Sequence, residues 1–365
     1  MASGVRPFEE QDIPGCADLH RRVFNLSAEP GVDLNAAYAS YFRTVFLENP
    51  WRAEGIGSLV CEENGKVSGF LAALPRPLRF RGRSILAMLT SQFVVDPANK
   101  DLAGVRLIKA FFAGRQEFTF ADESNDISRR LWEGVGGRTA FAHSVHWTAL
   151  LRPSQRLVEV MRPPSLLAAA ANPVARLLDA GLSRIPRSPL RRAPLAAIEA
   201  RTLEPLDLMR FWQETHAALI PDHTEASLSW TLQRIRQLKD LHGELRATTL
   251  WAKNQLIGAY AYHARPGQTS PVVLFAAQPN WGGPVLEHLF SAAAAAGVST
   301  LTGRVPPRDI HAFSRANCLL SNRPKWTLVH SPSEPILHAV LSGDDALSAL
   351  DGEWITHFNF RNTKG

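Results

Sequence analysis

The chain is poor in cysteine. Of its 365 residues only Cys16, Cys61 and Cys318 carry a thiol, far apart and without Cys-x-x-Cys or Cys/His ligand spacing, so neither a disulfide framework nor a zinc site is indicated. No apolar run reaches the length a membrane span needs. The opening Met1 to Asp12 carries Glu9, Glu10 and Asp12 with no apolar stretch after a basic start, which is not the pattern of a secretory signal. A cytoplasmic location is the resulting expectation. There is also no Gly-x-Ser-x-Gly elbow, Walker loop, His-Glu-x-x-His or dinucleotide glycine fingerprint, so the chemistries those motifs carry fit poorly. Trp51, Trp147, Trp212, Trp230 and Trp251 are scattered through predicted core segments and read as packing residues, not as a base-stacking platform. No DNA partner is expected.

What is there is a globular composition, 45% hydrophobic and 20% charged. The chain is longer than one hydrophobic core usually serves, so two domains are expected. The formal net charge is +6. Much of that excess lies between Arg152 and Arg201, including Arg184, Arg187, Arg191 and Arg192, and such a run usually reads as a solvated linker. Pro153, Pro163, Pro164, Pro173, Pro186 and Pro189 should interrupt long regular structure in the same stretch, which puts domains at 1–152 and 198–365 with a linker at 153–197. Within it, Ser165 to Leu182 reads as an amphipathic helix broken at Asn172-Pro173, with Leu166, Leu167, Leu177, Leu178 and Leu182 on its apolar side. Packing between domains is the plain reading; peripheral membrane association through 165–192 is the alternative, because arginines flank the apolar face.

The N-terminal half alternates strands and helices. Helices are expected over Asp12 to Asn25 and Asn35 to Leu47. Ser58–Cys61 and Val67–Leu71 flank Asn64-Gly65, a pair that favours the left-handed backbone of a tight hairpin. A strand from Leu89 to Val95 stops at Asp96-Pro97. Then follow a helix (Ala103 to Ala113), a strand (Glu117 to Ala121), a helix (Asp126 to Gly134) stopped by Gly136-Gly137, and a strand (Thr139 to Leu150). The second half repeats the order. Leu250–Ala252 and Leu256–Tyr262 flank Lys253-Asn254-Gln255, a strand from Val272 to Ala277 ends at Gln278-Pro279, and helix Val285 to Ala296 leads to strand Ser299 to Thr302, a short helix near Ala312 to Ala316, and an apolar stretch from Trp326 to Val329. The fold class expected is α/β, two tandem copies of one unit, each a mixed, mostly antiparallel central sheet flanked by helices.

Two segments carry a family likeness. After Pro97 comes Lys100-Asp101-Leu102-Ala103-Gly104-Val105, and further on Asn125-Asp-Ile-Ser-Arg-Arg-Leu-Trp-Glu-Gly-Val-Gly-Gly137. In this order of elements they resemble the acyl-CoA-dependent N-acyltransferase (GNAT) superfamily. The first is similar to that family's loop basic-x-x-Gly-x-Gly/Ala, where backbone amides at a helix N-terminus hold the diphosphate of acyl-CoA. Lys100 takes the basic position, Ala103 and Val105 the glycine positions, and Gly104 lies between; Asp101 brings a like charge. The second is similar to Asn-x-x-Ala-x-x-Leu-Tyr-Glu-x-x-Gly-Phe, with Asn125, Ser128, Leu131, Glu133 and Gly136 matching. The resemblance implies acetyl-CoA or another acyl-CoA as co-substrate, with Val94, Val95, Asn125 and Ser128 beside the pantetheine between the strand ending at Val95 and the one beginning at Glu117. It also puts Trp132 where the family's tyrosine protonates the departing thiolate. An indole N–H has no useful acidity, and a thiolate can leave unprotonated because a thiol's pKa is only modestly above neutral. In the second copy the loop Asn280 to Pro284 lacks a basic residue and Pro284 lacks an amide donor; Gly282-Gly283 leave room for a phosphate, but that half reads mainly as scaffold and acceptor wall. No metal is expected for the chain.

For a general base the sequence offers Asp122 and Glu123, which close the strand before Asn125, and His143 or His146 on the following strand, which alternation places on opposite faces. Asp222-His223 reads either as acceptor-site lining or as a helix cap. The expected activity is acyl transfer to the amine of a small molecule or peptide by direct attack on the thioester. A non-catalytic acyl-CoA-binding protein and a tRNA-dependent aminoacyl transferase are the alternatives.

Overall fold

In this computed structural model the first sheet begins with β1 (Gly4–Pro7), antiparallel to β2 (Leu59–Glu63). Between them lie α1 (Ile13–Val23), with Pro14 in its first turn, where no helical N–H is lost, and α2 (Leu34–Phe42), capped by the Asp33 carboxylate on the N–H of Asn35 and Ala36. The residues described are 4–26, 33–52, 55–97, 100–161, 165–184, 197–322 and 325–359. Asn64 and Gly65 both take positive φ, 52° and 76°, and turn β2 into β3 (Lys66–Phe80). A second such turn, Arg81-Gly82 at 48° and 83°, leads to β4 (Arg83–Val95). This hairpin is far longer than expected from Val67–Leu71 and Leu89–Val95. Pro75 and Pro77 hide it, since prolines mask a strand signal, yet they pair in register with Met88 and Leu86.

After β4 come α3 (Lys100–Phe112), β5 (Phe118–Ser124), α4 (Asp126–Gly134) and β6 (Arg138–Thr139). The single strand expected from Thr139 to Leu150 is replaced by β6, a 3-10 turn at Ala142–Ser144, and β7 (His146–Leu150). The turn redirects the chain, and β7 joins the second sheet. Next are α5 (Pro153–Met161), α6 (Ser165–Arg184), β8 (Glu199–Thr202) and α7 (Pro205–Gln213). Pro173 does not break α6, contrary to expectation: a proline removes one intrahelical bond, and the alanine-rich sequence around it sustains the helix. Then β9 (Leu219–Pro221) pairs with β3. The chain continues through α8 (Glu225–Arg236), α9 (Lys239–His242), β10 (Glu244–Ala252), β11 (Gln255–Ala264), β12 (Thr269–Ala277), α10 (Gly282–Ala295), β13 (Thr300–Arg304), α11 (Ile310–Arg315), β14 (Leu319–Ser321), β15 (Trp326–His330) and α12 (Glu334–Leu341).

The chain divides into two units that are not contiguous in sequence. One comprises Met1–Phe141, Ala217–Thr231 and Pro324–Gly365, the other Ala142–His216 and Leu232–Arg323. Among the described residues the first sheet runs β1-β2-β3-β4-β5-β15-β6, with β9 beside β3, and the second runs β14-β7-β13-β12-β11-β10-β8. Apart from β9, which has no counterpart, the orders match strand for strand when the second is read in reverse. Each sheet has one parallel pair, β4/β5 in the first and β12/β13 in the second, and is otherwise antiparallel. In each, the strand lying next to the partner of that parallel pair comes from the other half of the sequence: β15 beside β5 and β6, β7 beside β13 and β14. The first core gathers Leu71, Met88, Leu107, Ile108, Trp132 and Leu328. The second gathers Trp147, Tyr260, Leu289, Phe290, Leu301 and Phe313.

Candidate functional site

In the first sheet β4 and β5 pair only from Ala87/Phe118 to Leu89/Phe120. Past Leu89 and Phe120 no further pair forms, although β4 runs on to Val95 and β5 to Ser124. On its other side β4 is also irregular: Phe70 pairs with Val94 and Ala72 with Ser91, so Gln92 and Phe93 stand opposite the single residue Leu71. This is a β-bulge, which interrupts the ladder and re-aims the strand. Gln92 has φ 45°, a left-handed conformation costly for a non-glycine residue. Its side chain is held on both sides. His20 Nε2 lies 2.7 Å from Gln92 Oε1, and Gln92 Nε2 donates to the Thr356 carbonyl at 3.4 Å. Since an amide oxygen only accepts, Nε2 of His20 carries the proton and Nδ1 accepts from the Tyr38 hydroxyl at 2.8 Å. Burial pushes His20 down to about 4, so it is a neutral strut at physiological pH.

A cavity of about 480 Å³ opens where the strands part. Thr90, Ser91, Gln92 and Phe93 of β4 line one side, and Ala121, Glu123 and Ser124 of β5 the other. Asn125, Ser128 and Trp132 add a stripe from α4, and His20, Phe24 and Leu26 border it from α1 and the turn after it. The remaining wall comes from the far end of the chain. Glu353, His357 and Phe358 line it, on and beside a 3-10 turn at Glu353–Thr356. This segment is pinned down by Tyr41, whose hydroxyl donates to the Thr356 carbonyl at 2.5 Å, by the Ser91 and Thr356 hydroxyls 2.6 Å apart, and by Phe358 stacked on Tyr38 at 4.4 Å. Just upstream, the buried Arg76 guanidinium donates to the Leu350 carbonyl, meets Asp351 at 3.5 Å and lies 4.3 Å over the Trp51 ring.

Three carboxylates meet in this wall. Glu353 Oε1 accepts the backbone N–H groups of Asp122 at 3.0 Å and Glu123 at 2.9 Å, while Asp122 Oδ1 accepts the N–H of Glu353 at 2.7 Å. Burial, with the charges of Asp122 and Glu123, pushes Glu353 up to about 8. Glu123 behaves oppositely. Burial would raise it, but His357 at 3.1 Å and Lys325 at 2.7 Å outweigh that and hold it at about 2. One carboxyl therefore stays ionised and its neighbour takes up a proton near neutral pH.

No protein-family model matches the sequence, and no curated protein matches it. Solved structures do. Over about nine tenths of this chain it is similar to a conserved protein of unknown function from Enterococcus faecalis described as a probable N-acyltransferase, at TM-score 0.57 and 11% identity, covering 91% of this chain and 73% of that one. A GCN5-related N-acetyltransferase from Anabaena variabilis gives TM-score 0.56 at 13% identity over 90% of this chain and 73% of that one. One from Kribbella flavida gives 0.53 at 11% over 90% and 72%. The chain has the GNAT fold.

Against the GNAT expectations the residues fall unevenly. Asn125, Ser128 and Trp132 line the cavity together, at i, i+3 and i+7 of one helix face, and Asn125 also caps α4 by accepting the Ser128 N–H at 2.9 Å. Glu123 lines it too; Asp122 is buried behind it. Val94 and Val95 lie beyond the bulge, past the cavity's edge: Val94 is in the core, and the lining comes from Thr90 to Phe93 instead. Lys100 to Val105 belong to α3 itself, which starts at Lys100, so they form its first turns and not a preceding loop. The side chains of Lys100, Asp101 and Leu102 lie outside the described residues. Ala103 and Gly104 are buried and Val105 half-buried, with Gly104 packed against Phe93, Val95 and Leu131. His143 is corrected: it is buried in the 3-10 turn of the second unit, not on a strand of the first, and does not line the cavity. Asp222 and His223 belong to the first unit. Asp222 binds Arg79 and Ser84, and His223 bridges Asp351 at 3.1 Å and Ser227 at 3.3 Å, so both are structural, while Thr224 is what caps α8, accepting the Ser227 N–H. His20, Gln92, Glu353 and His357 escaped the sequence reading.

In the second unit α10 begins at Gly282 directly after Asn280-Trp281. A Cβ on Gly282 would come within 2.8 Å of Asp309 Oδ1, so a carboxylate fills the space against the helix start. Burial raises Asp309 to about 6. Its negative form would oppose an anionic ligand there.

Proposed function

We propose that the first unit transfers an acyl group from acyl-CoA to an amine in the cavity between β4 and β5. The observation that carries this is the parting of the one parallel strand pair beside a strained bulge at Gln92. A gap of that kind admits an extended pantetheine arm, and a bulge frees backbone N–H groups to polarise a thioester carbonyl. Asn125, Ser128 and Trp132 would hold the arm along α4. The second unit acts as scaffold, with Asp309 standing where a diphosphate would have to bind.

The amine nitrogen forms its bond to the acyl carbon as the C–S bond breaks, the electron pair leaves with sulfur as a thiolate, and the second N–H proton, shed as the amide forms, passes to that thiolate or to water. An arriving ammonium must lose its proton before attack. Glu353 suits that step better than Glu123 or Asp122, because a base works best when its pKa lies near the operating pH. Glu123, kept ionised by Lys325 and His357, attracts the cationic acceptor without taking its proton. Trp132 contributes packing and no acid, so the rate comes from holding amine and thioester together and from the bulge donors.

The test is thiol release from a panel of acyl-CoAs with and without small primary amines. Amine-dependent release whose basic-side dependence disappears in Glu353→Gln, with acetyl-CoA binding retained, supports the reading. Tight acetyl-CoA binding with no turnover for any amine would favour a binding protein, the reading that Trp132 in the tyrosine position supports. Loss of all acyl-CoA binding refutes both.

A further inference from the structure

The net charge of the protein sits in one stretch. From Arg152 to Arg201 there are nine arginines and no lysine against three carboxylates, a surplus of six that equals the +6 of the whole chain. Within it α5 and α6 form a helical pair whose amphipathicity is inverted. On α6 the residues facing the protein are Ala175 and Asp179, whereas Val174, Leu177 and Leu178 face outward, 57%, 74% and 56% exposed. Leu167, Val174, Leu178 and Leu182 stand at i, i+7, i+11 and i+15, a single stripe along the helix about 22 Å long at 1.5 Å per residue. On α5 it is Gln155 that is buried, while Leu157, Val160 and Met161, at i, i+3 and i+4, are exposed.

The two acids of the helical pair, Asp179 and Glu159, are taken up on its inner side. Asp179 accepts the N–H of Ser154 at 2.9 Å and of Gln155 at 3.0 Å, fastening α6 to the start of α5. Glu159 accepts from the Thr269 N–H, the Thr269 hydroxyl and the Ser299 hydroxyl, and pairs with Arg156. Glu199 is taken up by Arg201. The outward side is thus apolar, and in sequence it is flanked by Arg162 before α6 and by Arg184, Arg187, Arg191 and Arg192 at and after its end; an exposed apolar stripe of this kind calls for a covering surface. Among the described residues no helix is long and apolar enough to cross a bilayer, so the stripe suits lying in an interface and not spanning it.

We propose that the α5–α6 pair docks the protein onto an anionic lipid surface, leucines in the acyl boundary and arginines among the phosphates. Full-length protein is sedimented with vesicles of phosphatidylcholine containing a third phosphatidylglycerol, and with phosphatidylcholine alone. The expected result is binding at least about tenfold stronger to the anionic vesicles, lost as salt rises from about 0.1 M to about 1 M and the screening length falls from about 10 Å to about 3 Å. Leu177→Ser with Leu178→Ser should cut binding by about tenfold or more while leaving the melting temperature unchanged, because both side chains are exposed. Equal binding to neutral vesicles, binding insensitive to the double substitution, or no vesicle binding overturns the proposal. So does a dimer in light scattering that the same double substitution dissolves, since a second copy would then cover the face.

Discussion

Gly352 is the position where the wall of the cavity is least tolerant. A Cβ built there collides with the Asp122 carboxylate, meeting both of its oxygens. The backbone itself is no obstacle: φ −92° and ψ −159° are open to alanine. Gly352→Ala must therefore move Asp122 or the 353–358 segment. Overpacking of this kind costs about 1–3 kcal/mol, and losing the charge-assisted bond from the Glu353 N–H to Asp122 adds about 1.5–3 kcal/mol. Removing a glycine from the unfolded chain returns about 0.4–1 kcal/mol. The net expectation is about 1.5–5.5 kcal/mol of lost stability, with weaker acyl-CoA binding from a distorted wall. Gly134→Ala is the control, since nothing lies within 4 Å of its Cβ and its φ is not positive; it should change stability by less than about 0.5 kcal/mol or raise it slightly. Urea unfolding with an unchanged slope is the assay. A Gly352→Ala variant within about 1 kcal/mol of the parent would refute the close approach of Gly352 to Asp122.

Trp132, 2% exposed and edge-on to Phe112 at 5.0 Å, should cost about 3–5 kcal/mol as Trp132→Ala. Trp132→Tyr should leave single-turnover acyl transfer within about tenfold across pH 6 to 9; a gain of about a hundredfold with a new basic limb would restore the acid account. Residues 1 to 152 expressed alone should be insoluble, because β5 loses β15 and β7 loses β13; a folded, soluble fragment by circular dichroism contradicts this. Above about pH 6.5, where buried His20 no longer adds an opposing slope, stability should fall towards pH 8, because folded Glu353 keeps a proton that the unfolded chain has released, and Glu353→Gln should flatten that slope in urea titrations run at each pH.

Local signals in the sequence were readable wherever the physics is local. Asn64-Gly65 turns where its left-handed preference says it should, and Asp126 to Gly134 is a helix with the ends its cap and glycines imply. What could not be read was which strand a strand would join. Nothing in His146–Leu150 or Trp326–His330 states that each completes the sheet of the opposite half, because alternation reports a buried face and not a partner. The same limit hid the site. The end of a strand points to Val94 and Val95, while the bulge that moves the cavity upstream shows only in the register with β3. His20 follows Cys16 by one helical turn on a buried face, and a histidine there reads first as core. Glu353 opens a single 3-10 turn and His357 and Phe358 follow it, too short a stretch to show a period; a cluster of carboxylate, imidazole and aromatic side chains was their only signal.

That tail joins structure to chemistry in one contact. Glu353 and Asp122 each accept the other's backbone N–H, which closes the cavity wall and at the same time brings two carboxylates, with Glu123 beside them, into a space too dry for three charges. Lys325 pairs with Glu123 and His357 hydrogen-bonds it, which holds Glu123 down, so the proton that the group must retain falls to Glu353. A hydrogen bond made for packing therefore goes with a carboxyl pushed up to about 8, near the pH at which the proposed transfer would run. Gly352→Ala and Glu353→Gln separate the two roles. The first spoils the contact and keeps the carboxylate; the second keeps an oxygen able to accept the Asp122 and Glu123 N–H groups and removes the titration. If the wall matters only as packing, Glu353→Gln will behave like the parent at every pH while Gly352→Ala does not. If the proton matters, Glu353→Gln will bind acetyl-CoA like the parent yet lose the rise in rate with pH, a difference that no packing defect produces.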